Sequence, residues 1–94
     1  MKTVKKVESP IRVGEAVFIR TVTYHYTGRI VGLTATEILL EDVAWIADSG
    51  RWNEARMTGI LSEVEPYPAG VVSVARAAVV DVSCWGHALP RTAK

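Results

Sequence analysis

What the chain lacks narrows its chemistry first. It holds a single cysteine, Cys84. No intrachain disulfide can form, which fits a reducing compartment. It holds only two histidines, His25 and His87. Nucleophilic catalysis needs a base within reach of the nucleophile and a third group to orient it. The one local pairing, Cys84 with His87 at C-x-x-H spacing, falls short both of that constellation and of a zinc site's ligand set. The expectation is a protein that is not an enzyme and carries no metal or cofactor. Charge of one sign is missing too. Eleven Lys and Arg stand against ten Asp and Glu, a formal net charge of +1, which is no footprint for a polyanion. The only basic run, Lys2, Lys5 and Lys6, reads as a solvated tail. No stretch approaches the ~20 apolar residues of a membrane helix, and no apolar segment of signal-peptide type follows the N-terminal lysines. The expected location is cytoplasmic, with no membrane partner. Glycine-rich phosphate loops are absent, since Gly28 and Gly32 fit no nucleotide motif.

What is present is apolar. Hydrophobic residues make up 49% of the chain and the mean hydropathy is +0.17. That is rich for a length that supports one modest core. A partner subunit is the simplest destination for the excess.

The chain reads as one domain over residues 1–94, with 1–10 and 87–94 flexible. Residues 16–24 (AVFIRTVTY) are strand formers, with Val17 and Ile19 on one side and Arg20 and Tyr24 on the other. A second strand runs through Tyr26, Ile30 and Leu33. Gly28 and Gly32 inside it mark a bulge, a bend or a close backbone approach. Residues 37–47 form a long third strand, in which helix is a competitor. Ser49 is a candidate N-cap for a short helix over residues 51–58, stopped by Gly59. Trp52 and Ala55 share one face of that helix. Residues 65–70, with Pro66 and Pro68, form a stiff connector. Two short apolar strands follow, over residues 71–75 and 79–85, meeting at Arg76-Ala77-Ala78.

This order of parts resembles the Sm-like (LSm) family of small SH3-like barrels, which includes the bacterial host-factor RNA chaperones. The resemblance is carried by Val17 and Ile19, by residues 28–31 (GRIV), by residues 38–43 (ILLEDV), and by Val74-Ala75-Arg76-Ala77, which stands where the family has an apolar pair followed by Arg-Gly. It implies a mainly β fold, a bacterial-type SH3/Sm-like barrel of about five strands over residues 13–47 and 70–85. One short helical insertion, residues 48–65, falls between strands 3 and 4. It also implies a closed ring of identical chains, with Arg76 lining the base-binding pore. The chain departs from the family in the loop at residues 34–37, which lacks the Asp and Asn that help hold a base, and at Ala77, which replaces the glycine.

Candidate sites follow from both readings. Val72, Val74, Val80, Val82 and Trp85 are the candidate oligomer interface. Near-continuous apolar strands are expected to be buried on both faces, and an uncovered edge invites another chain. Trp45 is expected to complete the core. Tyr24, Tyr26 and Arg29, with Arg76, are candidate ligand or RNA contacts, since strand aromatics beside arginines stack bases. The plainer reading of the tyrosines, rings covering a barrel edge with hydroxyls in water, is preferred. Two function classes stay open. The first is a homo-oligomeric assembly or adaptor module that binds protein or a small ligand. The second is an RNA-binding Sm-like ring.

Overall fold

Val17, Phe18 and Ile19 set the plan of the molecule. A strand sends consecutive side chains to opposite faces, and all three residues are completely buried. Their strand must therefore be covered on both sides. The computed structural model describes residues 7–94; the basic run at Lys2, Lys5 and Lys6 lies outside the described residues. It shows how both faces are covered.

Six antiparallel strands form one open sheet. They are β1 (Ala16–Thr21), β2 (His25–Leu33), β3 (Glu37–Asp48), β4 (Glu63–Pro66), β5 (Val72–Ala75) and β6 (Val79–Cys84), with one helix, α1 (Trp52–Thr58), between β3 and β4. The sheet order is β4-β3-β2-β1-β6, and β5 lies on the first half of β3, with Val74 opposite Ile38. A single turn of 3-10 helix, Arg76–Ala78, joins β5 to β6. The expected strand count of about five is corrected to six. The extra strand is β4, where a stiff connector was expected. Its Glu63-Val64-Glu65 alternates exposed, buried, exposed, and Pro66, which has no N–H to give a ladder, ends it.

Two cores lie on opposite faces. One gathers Val17, Ile19, Ile30, Ile38, Leu40, Val43 and Val74. The other gathers Phe18, Ala44, Ile46, Ala55, Leu61, Val64, Trp85 and Leu89. Much of the apolar content is thus buried inside the chain, while Val13, Val71 and Val80 remain exposed. Trp52 packs on Phe18 with ring centroids 4.5 Å apart, as the helix spacing predicts.

β3 changes face halfway along. Thr27 pairs with Ala44 but Arg29 with Glu41, so β3 carries one extra residue there. Asp42 takes a left-handed backbone, φ 51°, which Asp tolerates better than most residues. Such a bulge advances the alternation by one. Ile38 and Leu40 point to one face before it; Val43 and Trp45 point to that face after it. Gly28 sits opposite the bulge, where a Cβ would come within 3.2 Å of the Glu41 carbonyl oxygen. Both mid-strand glycines of β2 border register shifts, as their placement predicts.

Two expectations at the ends of elements are corrected. Ser49 does not cap α1. The Asp48 carboxylate instead takes the Gly50 N–H at 2.7 Å, and the helix begins beyond that turn with Arg51 at its cap position and no side-chain cap. Residues 87–94 are not a free tail. Leu89 enters the second core, and Val64 and Lys94 exchange backbone hydrogen bonds of 3.0 and 2.9 Å. A single apolar side chain with a covered face to reach is enough to dock a short segment.

Gly59 ends α1 as expected, with φ 76° and its N–H on the Ala55 carbonyl oxygen. The His87 ring lies directly against it, and an added Cβ would stand 2.6 Å from the ring's Cγ. Gly59→Ala is therefore expected to cost about 2 kcal/mol or more, combining backbone strain with a clash. Adding His87→Ala should recover the ring's part of the clash and leave the backbone strain together with the contact to the residue-87 Cβ, 2.8 Å away. Urea unfolding of the two single variants and the double variant measures both parts.

Candidate functional site

Beyond the reach of β5 and β6, the sheet continues as β2, β3 and β4 with unequal faces. One face carries Ala44, Ile46 and Val64 and is covered by α1 and the C-terminal segment. The other carries a cross-strand row. Ile19 pairs with Tyr26, Tyr26 with Trp45, and Trp45 with Glu65. Directly opposed residues share a face, so the row runs outward from the first core into solvent.

Two more rings complete it. Tyr24 comes from the turn at residues 21–24. There the Thr21 hydroxyl takes the Tyr24 N–H at 2.8 Å and donates to the Tyr24 carbonyl oxygen at 2.6 Å. Tyr67 follows β4 and is anchored by its own N–H on the Val43 carbonyl oxygen, 2.8 Å away. Pro66 and Pro68 on either side stiffen that segment. Tyr24, Tyr26, Trp45 and Tyr67 line an open hollow of about 240 Å³. A second hollow of about 250 Å³ adjoins it, lined by Trp45, Glu65, Pro66, Tyr67 and Pro68. Trp45 and Tyr67 are walls of both. A third depression, bordered by Glu41, Asp42 and Val43, meets the other side of Tyr67 and Pro68.

The rings are positioned rather than packed away. Tyr24 and Trp45 meet edge to face with centroids 5.7 Å apart, and Tyr24 remains 52% exposed. The Tyr26 phenol is pushed above its ordinary pKa, first by burial and then by the neighbouring Tyr67 phenol, so it stays neutral at physiological pH. Trp85 donates its indole N–H to the Ala88 carbonyl oxygen; the indole of Trp45 has no such acceptor among the described residues. Among the described residues, no Lys or Arg lines either aromatic hollow.

The remaining candidates lie elsewhere. Arg29 is tied to the Asp42 carboxylate at 3.0 Å, and Arg91 reaches the same carboxylate at 3.3 Å. Arg76 is exposed on the 3-10 turn, with Nε 3.5 Å from the Glu37 carbonyl oxygen, at the opposite end of β3 from Trp45. The tyrosines and these arginines are not brought together. Of the candidate interface residues, Val80 is 62% exposed and Val72 and Val82 are half-buried. Val74 and Trp85 are buried inside their own chain, so the assignment of Trp85 to a surface is corrected. Trp45, expected in the core, is at the surface instead. Cys84 is exposed, and His87 Nε2 lies 2.7 Å from the Arg56 carbonyl oxygen. No cluster of three or more His, Cys, Asp or Glu that could hold a metal ion occurs among the described residues. No helix among them is long and apolar enough to cross a membrane.

Sequence reasoning missed Tyr67 and Glu65 as members of a site. The available signal was Pro66-Tyr67-Pro68 itself, an aromatic held between two prolines. Comparison of the chain with protein-family models, with curated proteins and with solved structures finds no match. The functional reading therefore rests on geometry.

One ion pair braces the covered face. Arg20 Nε lies 2.8 Å from Asp81 Oδ1, and the guanidinium stands over the Trp52 ring, 5.2 Å from its centroid. The hydrogen bond from Arg20 holds the Asp81 carboxyl below the usual carboxylate range, against a smaller opposing effect of burial. A lowered folded-state pKa means stability that is fully present above the unfolded value, near pH 4, and lost as pH falls through the folded one. Both side chains are more than a third exposed, so solvent screens the pair. Asp81→Asn is expected to cost about 0.5–1 kcal/mol at neutral pH and to make no difference at a pH low enough that the carboxyl is protonated in both states. Urea unfolding across that range checks the sign and the window.

Proposed function

We infer that this chain is a non-catalytic adaptor module that binds a protein partner through the hollow of Tyr24, Tyr26, Trp45 and Tyr67. The observation that carries this reading is the inequality of the two faces of β2, β3 and β4. The chain uses a helix and its C-terminal segment to cover one face, and on the other leaves four aromatic residues around a hollow, Tyr24 and Tyr67 exposed and Tyr26 and Trp45 half-buried. Aromatic rings held rigidly at a surface are the usual anchors of protein recognition. The framework is a small SH3/Sm-like barrel. Its support is the run β5-β3-β2-β1-β6, in which the two outermost strands are linked by one 3-10 turn. RNA ranks second as a partner. Arg20 and Arg29 are neutralised by carboxylates, and Glu65 borders the hollow.

Peptides selected by phage display on the intact protein should bind with micromolar affinity. Tyr24→Ala should weaken them about tenfold while leaving the melting temperature unchanged, because Tyr24 is a half-exposed turn residue. Selected peptides that are indifferent to Tyr24→Ala and Tyr67→Ala would remove the hollow from consideration.

A second reading, self-assembly into a closed ring of Sm-like type, is favoured by a separate observation. No described strand pairs with the outer edge of β5 or of β6, and Val71 and Val80 beside those edges are exposed. Native mass spectrometry at low micromolar concentration should then show an oligomer that Val80→Lys shifts to monomer. A wild-type monomer as the dominant species would eliminate this reading.

A further inference from the structure

Resting on the protein-binding reading above, we propose that the occupant of the aromatic surface is a proline-rich segment in polyproline II conformation. It carries an arginine or lysine next to its prolines. Four observations converge on that chemistry.

The first concerns what the surface cannot do. The most general way to hold an extended peptide is to add it as a strand to a sheet edge. The edge beside the hollows is the outer edge of β4, and it is taken. Val64 N–H and C=O are both engaged by Lys94, and Pro66 has no N–H to offer. A ligand here must be held by side chains, which selects a peptide that does not need a ladder. Polyproline II has no internal hydrogen bonds and no requirement for a neighbouring strand.

The second is shape. Trp45 and Tyr67 form a shared wall between two shallow hollows. A wall across a surface obstructs an α-helix, whose girth of about 10–12 Å needs one continuous trough. Two adjacent slots between aromatic walls suit flat pyrrolidine rings presented by a three-residue-per-turn helix.

The third is hydrogen bonding. A proline-rich backbone offers carbonyl oxygens and few N–H groups, so its receptor must supply donors. The site supplies them: the indole N–H of Trp45, without an acceptor among the described residues, and the hydroxyls of Tyr24 and Tyr67, the Tyr26 hydroxyl being engaged with that of Tyr67. A polyproline II segment is also largely ordered before it binds. An open surface can therefore capture it without the ordering cost a flexible chain would incur.

The fourth is charge. Glu65 borders the second hollow and Glu41 the third. Both are exposed, and neither is paired with a cation among the described residues, unlike Asp42, which holds Arg29 and Arg91. Neutral aromatic walls next to free carboxylates fit a cationic side chain, by ring quadrupole and by charge. They oppose a phosphate backbone.

The test is a titration of the intact, isotope-labelled protein followed by NMR. The probe is a synthetic peptide of repeated Pro-Pro-Ala ending in arginine. Three comparators accompany it: the same peptide with glutamate for arginine, the same with alanine for every proline, and single-stranded oligouridine. The proline–arginine peptide should shift the Trp45 indole resonance and the amides of Tyr24, Tyr26, Glu65 and Tyr67. Glutamate for arginine should weaken binding about tenfold, and Glu65→Gln should shrink that preference. Alanine for proline should remove the shifts. Tyr24→Ala should weaken the proline–arginine peptide about tenfold in a fully folded protein. Equal binding of the proline-free peptide at the same residues would overturn the polyproline assignment and leave the protein-binding reading intact. Oligouridine binding at these residues in place of every peptide would overturn both.

Discussion

Phe18 holds the two halves of the molecule together. It is the middle of three consecutive buried residues and the only one of them that faces the second core. Its ring meets Trp52 at 4.5 Å, Trp85 at 5.5 Å and His25 at 5.9 Å. Those partners come from α1, from the residue that follows β6 and from the start of β2. A central strand whose neighbours point into two different cores cannot slip by one residue, because the slip would send Phe18 into the smaller-residue core and Val17 and Ile19 out of theirs. The register of β1, and with it the partnership of β2 and β6, is locked by that arrangement.

The candidate site is a consequence of the same division. α1 and the C-terminal segment are committed to the Phe18 face, and nothing is left to cover the opposite face where the sheet runs past β5 and β6. The bulge at Asp42 decides what occupies that open face. By advancing the alternation of β3 by one residue, it turns Trp45 to the side of Tyr26 and sends Ala44 and Ile46 to the side of Phe18. Without the bulge, the indole would enter the second core and two small apolar residues would face solvent. The recognition surface and the second core thus share one backbone irregularity.

Much of the framework was legible from local chemistry. Alternation identified Val17 and Ile19, the mid-strand glycines of β2 announced register shifts, and Gly59 ended α1 where a left-handed residue was needed. The tryptophans show where local reading stops. Trp45 and Trp85 hold each other's expected roles. Trp45 sits in a strand of apolar neighbours, and only the bulge, carried by an aspartate in a backbone state rarely signalled by sequence, brings it to the surface. Trp85 follows a strand and precedes a glycine, which looks like a surface position. It is buried because α1, distant in sequence, and the nearby Leu89 pack with it in the second core. β4 was hidden by the prolines at and just after its end, although Glu63-Val64-Glu65 alternates correctly. The aromatic hollow was half legible. Tyr24 and Tyr26 were read as a pair on a β surface, while Tyr67 needed β4 and Glu65 needed its register.

The double burial of β1 has a bearing on how the chain comes to be folded during its synthesis. Its Val17, Phe18 and Ile19 are synthesised before every other strand of this sheet. Their ladder partner β2 follows at once, but β6 and Leu89 come after all the other strands. In the interval, Phe18 lacks its cover and the outer edge of β1 has no partner. This pairing of sequence-distant segments is slow to form, and an exposed apolar edge is what aggregation exploits. A nascent chain made only as far as β4 therefore exposes the outer edge of β1 and the Phe18 face together.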